Sequence, residues 1–270
     1  MKNILRYILF ASVIVVCWPF VLRAQEVPIA LNLSTSRINI STFYNGTTLK
    51  AEGSIPADVD VLLEVQGPKK NVELKVKGKV AGVLWMNKTD VELENVPAVY
   101  MVYTPDKVEK DLFLTELGIG SDNLMKDLSI LHAGYQKLIH DIVIKPASED
   151  KIFIFSEYVK LMEKAGVYAV NNGTVSYGTV KDGKKPFSVV LNIPPKMSAG
   201  QYKVKAITVK NGQMLGQTET ELTLQLSGFP KLIATLSRDH ALLFGIMAVV
   251  IAVATGLIIG TLFKGGGGAH

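Results

Sequence analysis

Apolar and polar residues alternate in short runs between residues 27 and 104. The run VELKVK at 72–77 puts three apolar side chains on one face of a strand and three charges on the other. It therefore predicts a half-exposed strand. Turn residues separate such runs about every ten positions, which is typical of a β-sandwich. The predicted strands are 37–42, 47–52, 59–66, 72–77, 83–86 and 98–104, and the predicted turns are 45–46, 67–68 and 87–88.

A helical pattern begins near residue 106. Apolar residues recur at spacings of three and four over 108–117 and 123–131, which predicts two helices. A third helix is predicted between Ser148 and Gly166, because acidic residues open this stretch, lysines close it and a glycine follows its end. The segment 106–165 is therefore expected to be helical.

Strand-like runs return after this segment, at 167–170, 174–179, 187–193, 201–209 and 218–226, with turn residues between them. We predict a mainly β fold, in which two β-sandwich (Ig-like) units at 25–105 and 166–230 flank the helical segment. One larger sandwich with a helical insertion is the alternative. The sequence does not choose between the two.

Uncharged apolar runs lie near both ends of the chain. Residues 241–263 carry no charge and, at about 1.5 Å per helical residue, can cross a hydrocarbon core of roughly 30 Å. They predict one transmembrane helix. The shorter run 8–22 follows basic residues and precedes Ala24, so residues 1–24 predict a cleavable secretory signal, with an uncleaved anchor as the alternative. The predicted topology leaves a short cytoplasmic tail, 264–270, after the membrane helix.

Charge and cysteine content exclude several classes of protein. The formal charge is +5, from 29 basic and 24 acidic residues. Four of the basic residues lie in the predicted signal or tail, which leaves 25 basic against 24 acidic residues between them. Such a balance does not predict nucleic-acid binding. The single cysteine, Cys17, lies in the predicted signal, so disulfides, thiolate ligands and a cysteine nucleophile are not expected.

Several stretches together resemble a family of single-anchor transmembrane proteins first described from alphaproteobacteria. The resemblance spans nearly the whole mature chain, and only Met86 departs from the pattern expected at its position. The stretches that carry it are DVLLEVQGP at 60–68, KVAGVLWMN at 79–87, VPAVY at 96–100, LGIG at 117–120, GVY at 166–168, IPP at 193–195 and GQY at 200–202.

The resemblance implies a location rather than an activity. Members of this family have no assigned activity, and their genes are often found near those of sulfite-exporter-like permeases. The resemblance therefore implies a bacterial inner-membrane protein with its N-terminal domain in the periplasm. A multi-span permease is the partner that it suggests.

Two sets of residues are candidate contact surfaces. Gly82, Trp85, Met86 and Asn87 could form an exposed recognition loop, because aromatic side chains dominate many binding surfaces. The alternative, which we favour, is that Trp85 plugs the end of the first sandwich. The second set lies in the membrane helix, where small residues that recur every fourth position would let two helices pack closely. These residues are Ala252, Gly256 and Gly260.

The part of the chain between the two apolar runs contains no nucleophile elbow, phosphate loop or paired catalytic motif. His132 and His140 could bind a metal with a carboxylate such as Asp141 or Glu149, but we interpret them as surface or satisfied histidines. Asp58 and Asp60 are interpreted as a solvated turn rather than a calcium site. No cofactor or metal site is predicted.

Taken together, these features predict a non-enzymatic, membrane-anchored periplasmic protein that acts as an accessory or binding subunit beside a transporter. Two alternatives remain from other classes. One is an envelope hydrolase or metal-dependent enzyme with a site near His132 and His140. The other is a structural homo-oligomer, such as a homodimer, that is packed through the transmembrane helix.

Overall fold

The computed structural model describes residues 29–80, 83–105, 134–146, 151–210 and 213–263. The strands are β1 Ala30–Leu33, β2 Arg37–Ile40, β3 Thr47–Pro56, β4 Asp60–Gln66, β5 Lys69–Val80, β6 Leu84–Pro97, β7 Tyr100–Tyr103, β8 Val143–Lys145, β9 Tyr168–Asn171, β10 Val175–Tyr177, β11 Lys184–Ile193, β12 Gly200–Lys210 and β13 Gln213–Leu226. The helices are α1 Tyr135–Asp141, α2 Lys151–Lys164, α3 Phe229–Asp239 and α4 Ala241–Phe263. The mainly β fold with one C-terminal apolar helix is confirmed.

The strands form three sheets. A four-stranded sheet has the order β1-β3-β11-β10, and a six-stranded sheet has the order β2-β13-β12-β4-β7-β9. A smaller sheet has the order β5-β6-β8. Strands from before and after the helical segment pair directly in both larger sheets, for example β3 with β11 and β4 with β12. Each of the two larger sheets therefore contains strands from both β segments, and neither segment completes such a sheet alone.

The two larger sheets share one hydrophobic core. Tyrosine side chains cross from each sheet to the backbone of the other. The hydroxyl of Tyr103, on β7, accepts a hydrogen bond of 3.0 Å from the N–H of Asn192 on β11. The hydroxyl of Tyr177, on β10, accepts one of 3.1 Å from the N–H of Val61 on β4. These bonds satisfy backbone donors that strand pairing leaves free at the sheet interface.

Strand β4 is central and its side chains from Val61 to Val65 are buried. Both of its neighbours, β12 and β7, lie antiparallel to it, and its run of apolar residues does not alternate with polar ones. A strand of this kind is covered on both faces. Its one charged member in this run, Glu64, is only 1% exposed.

The predicted third helix is confirmed as α2. It ends at Lys164, and Gly166 has a positive φ of 75°. The N–H of Gly166 donates to the carbonyl of Glu163, and the N–H of Val167 donates to that of Met162. This bond pair is the Schellman motif, which satisfies the last carbonyls of a helix and favours glycine at the left-handed position.

Other predictions lie outside the described residues. They are the signal at 1–24, the two helices at 108–117 and 123–131, and the tail at 264–270. The domain boundaries of the sequence analysis stay predictions. The half-exposed strand at 72–77 is confirmed within β5, where its apolar side chains are half-buried and its charged ones exposed.

Candidate functional site

A long hairpin leaves the six-stranded sheet from strands β4 and β7. The pairing register of its two strands does not change where they leave the sheet. Leu63 lies opposite Tyr103 inside the sheet, and Lys69 lies opposite Pro97 outside it. Between these points the N–H of Gly67 donates to the carbonyl of Val99, at 2.9 Å. The N–H of Ala98 donates to the carbonyl of Pro68, also at 2.9 Å. We call residues 67–99 the hairpin arm.

The chain therefore passes straight through residues 67–68, and the predicted turn there is wrong. A Cβ on Gly67 would come within 2.9 Å of the backbone nitrogen of Val99 and 3.0 Å of the ring of Tyr202. The glycine is needed because the two strands and this ring approach closely at the point where the arm begins. Its 12-residue strand β5 gives the arm a length of about 40 Å.

Two irregularities interrupt the ladder of the arm. The register shifts between Lys70 and Val72, where Asn95 has a positive φ of 63°, and again between Val76 and Lys77. At the first shift the side chain of Asn71 donates to Glu92 at 3.1 Å. Bulges of this kind increase the local twist and bend a strand pair. The predicted turn at 87–88 is wrong, because both residues lie inside β6 beside the second shift.

The arm has a packed inner half and an exposed outer half. The inner half contains the buried residues Val91, Leu93 and Val96, and β8 pairs there with residues 92–94 of β6. Lys145 of β8 donates to Glu94 at 2.6 Å, and this hydrogen bond raises the pKa of the lysine. From Val91 towards the hairpin end, the described part of the chain adds no third strand to the arm.

The outer half ends in exposed apolar side chains. Val83, Leu84 and Met86 are 79%, 64% and 53% exposed. They lie at or next to the hairpin end, where Leu84 pairs with Val80 and Met86 with Gly78. Large apolar side chains that are exposed together mark a contact surface more often than singly exposed ones do.

The predicted recognition residues belong to this end of the arm. Met86 and Asn87 are exposed and lie in strand β6 rather than in a loop. The backbone of Trp85 also lies in β6, opposite Lys79, and Gly82 lies outside the described residues. Residues 85–87 are in the small sheet, not in the two larger sheets that share the core. Their role in recognition stays a prediction.

A buried polar cluster lies at the root of the arm. The hydroxyl of Tyr100 donates to Oε2 of Glu64 at 2.9 Å, and it accepts a hydrogen bond of 2.8 Å from the N–H of Gly134. Nζ of Lys137, on α1, lies 3.6 Å from Oε1 of Glu64. Burial and the nearby carboxylate raise the pKa of Tyr100 well above its usual value, so its hydroxyl remains a donor. At this point, which we call the arm root, the cluster links α1 to β4 and β7, the two strands from which the arm begins.

Tyrosine rings surround this cluster. Tyr135 stacks on Tyr168 with ring centroids 6.0 Å apart, and Tyr158 meets Tyr168 edge-on at 5.9 Å. The hydroxyl of Tyr168 donates to the carbonyl of Pro97, in the arm, at 2.7 Å. Burial raises the pKa of both Tyr135 and Tyr168. The sequence analysis missed this cluster, whose only signal was a glutamate within an apolar strand.

The arm leaves the six-stranded sheet at the end from which the chain runs to the membrane helix. Strands β4 and β13 both lie antiparallel to β12, which separates them, so both run in the same direction. The first residue of β12, Gly200, pairs with Leu224 near the end of β13. On its other side, a Cβ on Gly200 would lie 3.4 Å from the ring of Pro68, at the base of the arm.

Two of the four candidate metal residues lie in the described part of the chain. His140 and Asp141 are exposed at the end of α1, and His132 and Glu149 lie outside the described residues. Within the described ranges, no group of three or more histidine, cysteine, aspartate or glutamate side chains could hold a metal ion. Asp58 and Asp60 instead form exposed ion pairs with Lys210 and Lys185.

No residue of helix α4 is buried against the described part of the chain. The helix spans 23 residues, and its mean hydropathy is 2.8 over an 18-residue window. A Cβ on Gly256 or Gly260 would meet nothing within 4 Å, so the face that carries Ala252 and these glycines has open space around it. Packing through this face stays a prediction.

A comparison with known protein families gives a match over most of the chain. A family described as "Putative transmembrane protein" (Alph_Pro_TM) matches residues 28–265. The chain belongs to this family. The match runs through both larger sheets, the arm and α4, so the membrane helix is part of the family pattern. The resemblance found in the sequence is thereby confirmed. No curated protein matches the chain.

Proposed function

We propose that this protein is a non-enzymatic accessory subunit that is anchored by α4 and binds a multi-span permease through the end of its hairpin arm. The observation that carries this proposal is that the arm and the segment leading to α4 begin at the same end of the six-stranded sheet. Because both leave the six-stranded sheet at one end, the base of the arm lies on the side of the domain that is linked to the membrane. A partner embedded beside α4 would then be within reach of an arm about 40 Å long.

The chemistry of the arm end supports contact with a protein. Val83, Leu84 and Met86 offer apolar surface, and methionine adapts well to irregular partner surfaces. The flanking strand β5 carries Lys75 and Lys77 on its exposed face. An apolar centre with a charged border is the usual anatomy of a protein interface.

The proposal includes a location and a type of partner. With the predicted signal at 1–24 removed, the β domain would lie in the periplasm and α4 would cross the bacterial inner membrane. The sulfite-exporter-like permeases implied by the family resemblance are the first candidates for the partner. The β domain would then act as a sandwich-like support that positions the arm.

Site-specific photocrosslinking of the full-length chain in native membranes tests this proposal. A photoreactive phenylalanine replaces Leu84 at the arm end, and in a control chain it replaces Val190. Val190 is a matched position because it is an exposed apolar strand residue, 58% exposed, but it lies in the four-stranded sheet. Crosslinked products are identified by mass spectrometry.

We expect a product with a multi-span membrane protein from the Leu84 position and none from Val190. Products that contain only a second copy of this chain would instead favour the homo-oligomer, and they would contradict the accessory role. The same product from both positions would show that the arm has no special part in binding. Absence of any product at Leu84 would also count against the proposal.

A further inference from the structure

Helix α3 has one apolar and one polar face. Phe229, Leu232, Ile233 and Leu236 follow the spacing of a single helical stripe, whereas Lys231 and Arg238 lie on the opposite side. Phe229 and Leu232 are 62% and 53% exposed, and no residue of α3 is buried against the described part of the chain. Ile233 and Leu236 are half-buried, so the described residues cover the apolar stripe only in part.

The position of α3 in the chain fixes what lies near it. Only His240 separates α3 from α4, and hydrogen bonds from His240 to Leu236 and from Phe244 to His240 continue across the junction. The C-terminal end of α3 is consequently held at the boundary of the hydrocarbon core that α4 crosses. The 11 residues of α3 have a length of about 16 Å, so the whole helix lies within a short distance of that boundary.

A second exposed aromatic residue lies at the same end of the six-stranded sheet. Strand β2 lies parallel to β13, with Ile40 opposite Leu226, and the N–H of Ser227 donates to the carbonyl of Ile40 at 2.9 Å. The loop after β2 carries Phe43, which is 93% exposed. Its neighbour Tyr44 is held by a hydrogen bond of 3.3 Å from its hydroxyl to the carbonyl of Ile193.

We propose that this end of the sheet rests on the lipid surface of the membrane that α4 crosses. Helix α3 lies in the headgroup region with its apolar stripe towards the acyl chains, and Phe43 inserts beside it. The cations of Lys231 and Arg238 exceed the single negative charge of Asp239, which favours anionic headgroups. Amphipathic helices of this composition bind at lipid interfaces because apolar burial and headgroup attraction act together.

The lipid surface is favoured over other occupants by covalent continuity. The same chain that forms α3 enters the bilayer one residue later, so the lipid surface is adjacent to α3 in every molecule. A second copy, or another segment of this chain, would have to displace lipid that is already present. This inference does not depend on a partner for the arm.

Spin labels in the full-length chain test the inference. Cys17→Ser removes the native thiol, and single cysteines replace Leu232, Thr235, Phe43 or Val190. The protein is reconstituted into vesicles of phosphatidylethanolamine and phosphatidylglycerol. Collisions of each label with oxygen, which concentrates in lipid, are compared with collisions with a water-soluble nickel chelate. Thr235 is the control on the polar face of α3, and Val190 is the control on the other sheet.

We expect the ratio of oxygen to nickel accessibility to be several-fold higher at positions 232 and 43 than at 235 and 190. A ratio at position 232 that is as low as the ratio at the polar-face control, 235, would overturn the proposal, since the apolar stripe would then lie in water. Protection of position 232 from both reagents would also overturn it, because the stripe would then pack on protein. A label at 43 that is open to nickel would overturn the claim that the sheet end itself rests on lipid.

Discussion

The inner and outer halves of the hairpin arm are built from the same two strands but differ in what surrounds them. In the inner half, Val91, Leu93 and Val96 are buried and β8 adds a third strand. In the outer half, every side chain described between residues 83 and 90 is exposed. Backbone pairing continues through both halves, so the difference lies in side-chain burial.

This difference indicates where the stability of the arm comes from. A two-stranded ribbon alone is at best marginally stable in water, and a third strand or a packed face is needed to hold it. The inner half has both, and in the outer half the one described side chain that is partly buried is that of Val76. The inner half thus fixes the arm to the domain, and the outer half is left available for contact.

The same substitution in the two halves should give the largest contrast. Leu93→Ala removes a side chain that is 0% exposed, whereas Leu84→Ala removes one that is 64% exposed, on the same strand. We expect Leu93→Ala to lower the free energy of unfolding by about 2–5 kcal/mol, because it leaves a cavity in the core. Leu84→Ala should change it by less than about 0.5 kcal/mol.

Thermal and denaturant unfolding of the full-length chain in detergent micelles, followed by the circular dichroism of the sheets, measures both effects. Equal losses of stability for the two variants would contradict the division of the arm. Photocrosslinking with the photoreactive phenylalanine at Met86 offers a complementary test, since Leu84→Ala should weaken partner contact without unfolding the domain.

Removal of one hydroxyl at the arm root is expected to have the next largest effect. Tyr100→Phe leaves both Oε2 of Glu64 and the N–H of Gly134 without their partner in a buried site. Each unsatisfied buried group typically costs about 1–3 kcal/mol, so we expect a loss of at least about 1–3 kcal/mol in the free energy of unfolding. The same unfolding experiments detect it.

Tyr202→Phe is the matched control for this variant. Its hydroxyl donates to the carbonyl of Ser198 at 2.7 Å, and because Ser198 is exposed, water can hydrogen-bond to that carbonyl when the hydroxyl is removed. We expect a loss of about 1 kcal/mol or less for the control. If Tyr100→Phe proved no more harmful than Tyr202→Phe, the polar cluster would not hold the arm root.

Local patterns in the sequence were sufficient for part of this fold. An uncharged run of 23 residues has few alternatives to a membrane helix. The end of α2, just before Gly166, follows from hydrogen bonds within one helical turn. The pairing of β3 with β11 joins residues far apart in the chain. Alternation shows which face of a strand is buried but not which strand lies beside it, so this pairing could not be predicted.

Two errors at the arm have one physical cause. Gly67 and Pro68 favour a turn, and so do Asn87 and Lys88. In the folded chain Gly67 instead allows close approach to Val99, and Asn87 lies beside a bulge. Glycine and asparagine signal an unusual backbone requirement without saying whether the chain reverses there. The recognition role of residues 82–87 stays a prediction, and it could be made from the sequence because these residues are adjacent in the chain.

Carboxylates on and beside β4 extend the comparison between packed and exposed regions. Glu64 is buried beside Lys137, whereas Asp58, just before the strand, forms an exposed ion pair with Lys210. Ion pairs that water can reach contribute little to stability, because solvent screens both charges. The two carboxylates should therefore differ strongly in their effect on folding.

The smallest expected effect is the loss of the Asp58 pair. A hydrogen bond from Lys210 is the main cause that lowers the pKa of Asp58 below its usual value of 3.8. A carboxyl with a lowered folded-state pKa stabilises the fold above the unfolded value, and this contribution disappears as the pH falls through the folded value. Asp58→Asn should therefore unfold at slightly lower denaturant concentration than the unaltered chain near neutral pH, and the two midpoints should converge below pH 3.8. Lys210→Gln removes the same pair from the other side and should reproduce the shift. Midpoints that differ equally at neutral and acidic pH would mean that Asp58 acts through its shape or its backbone contact rather than through its charge.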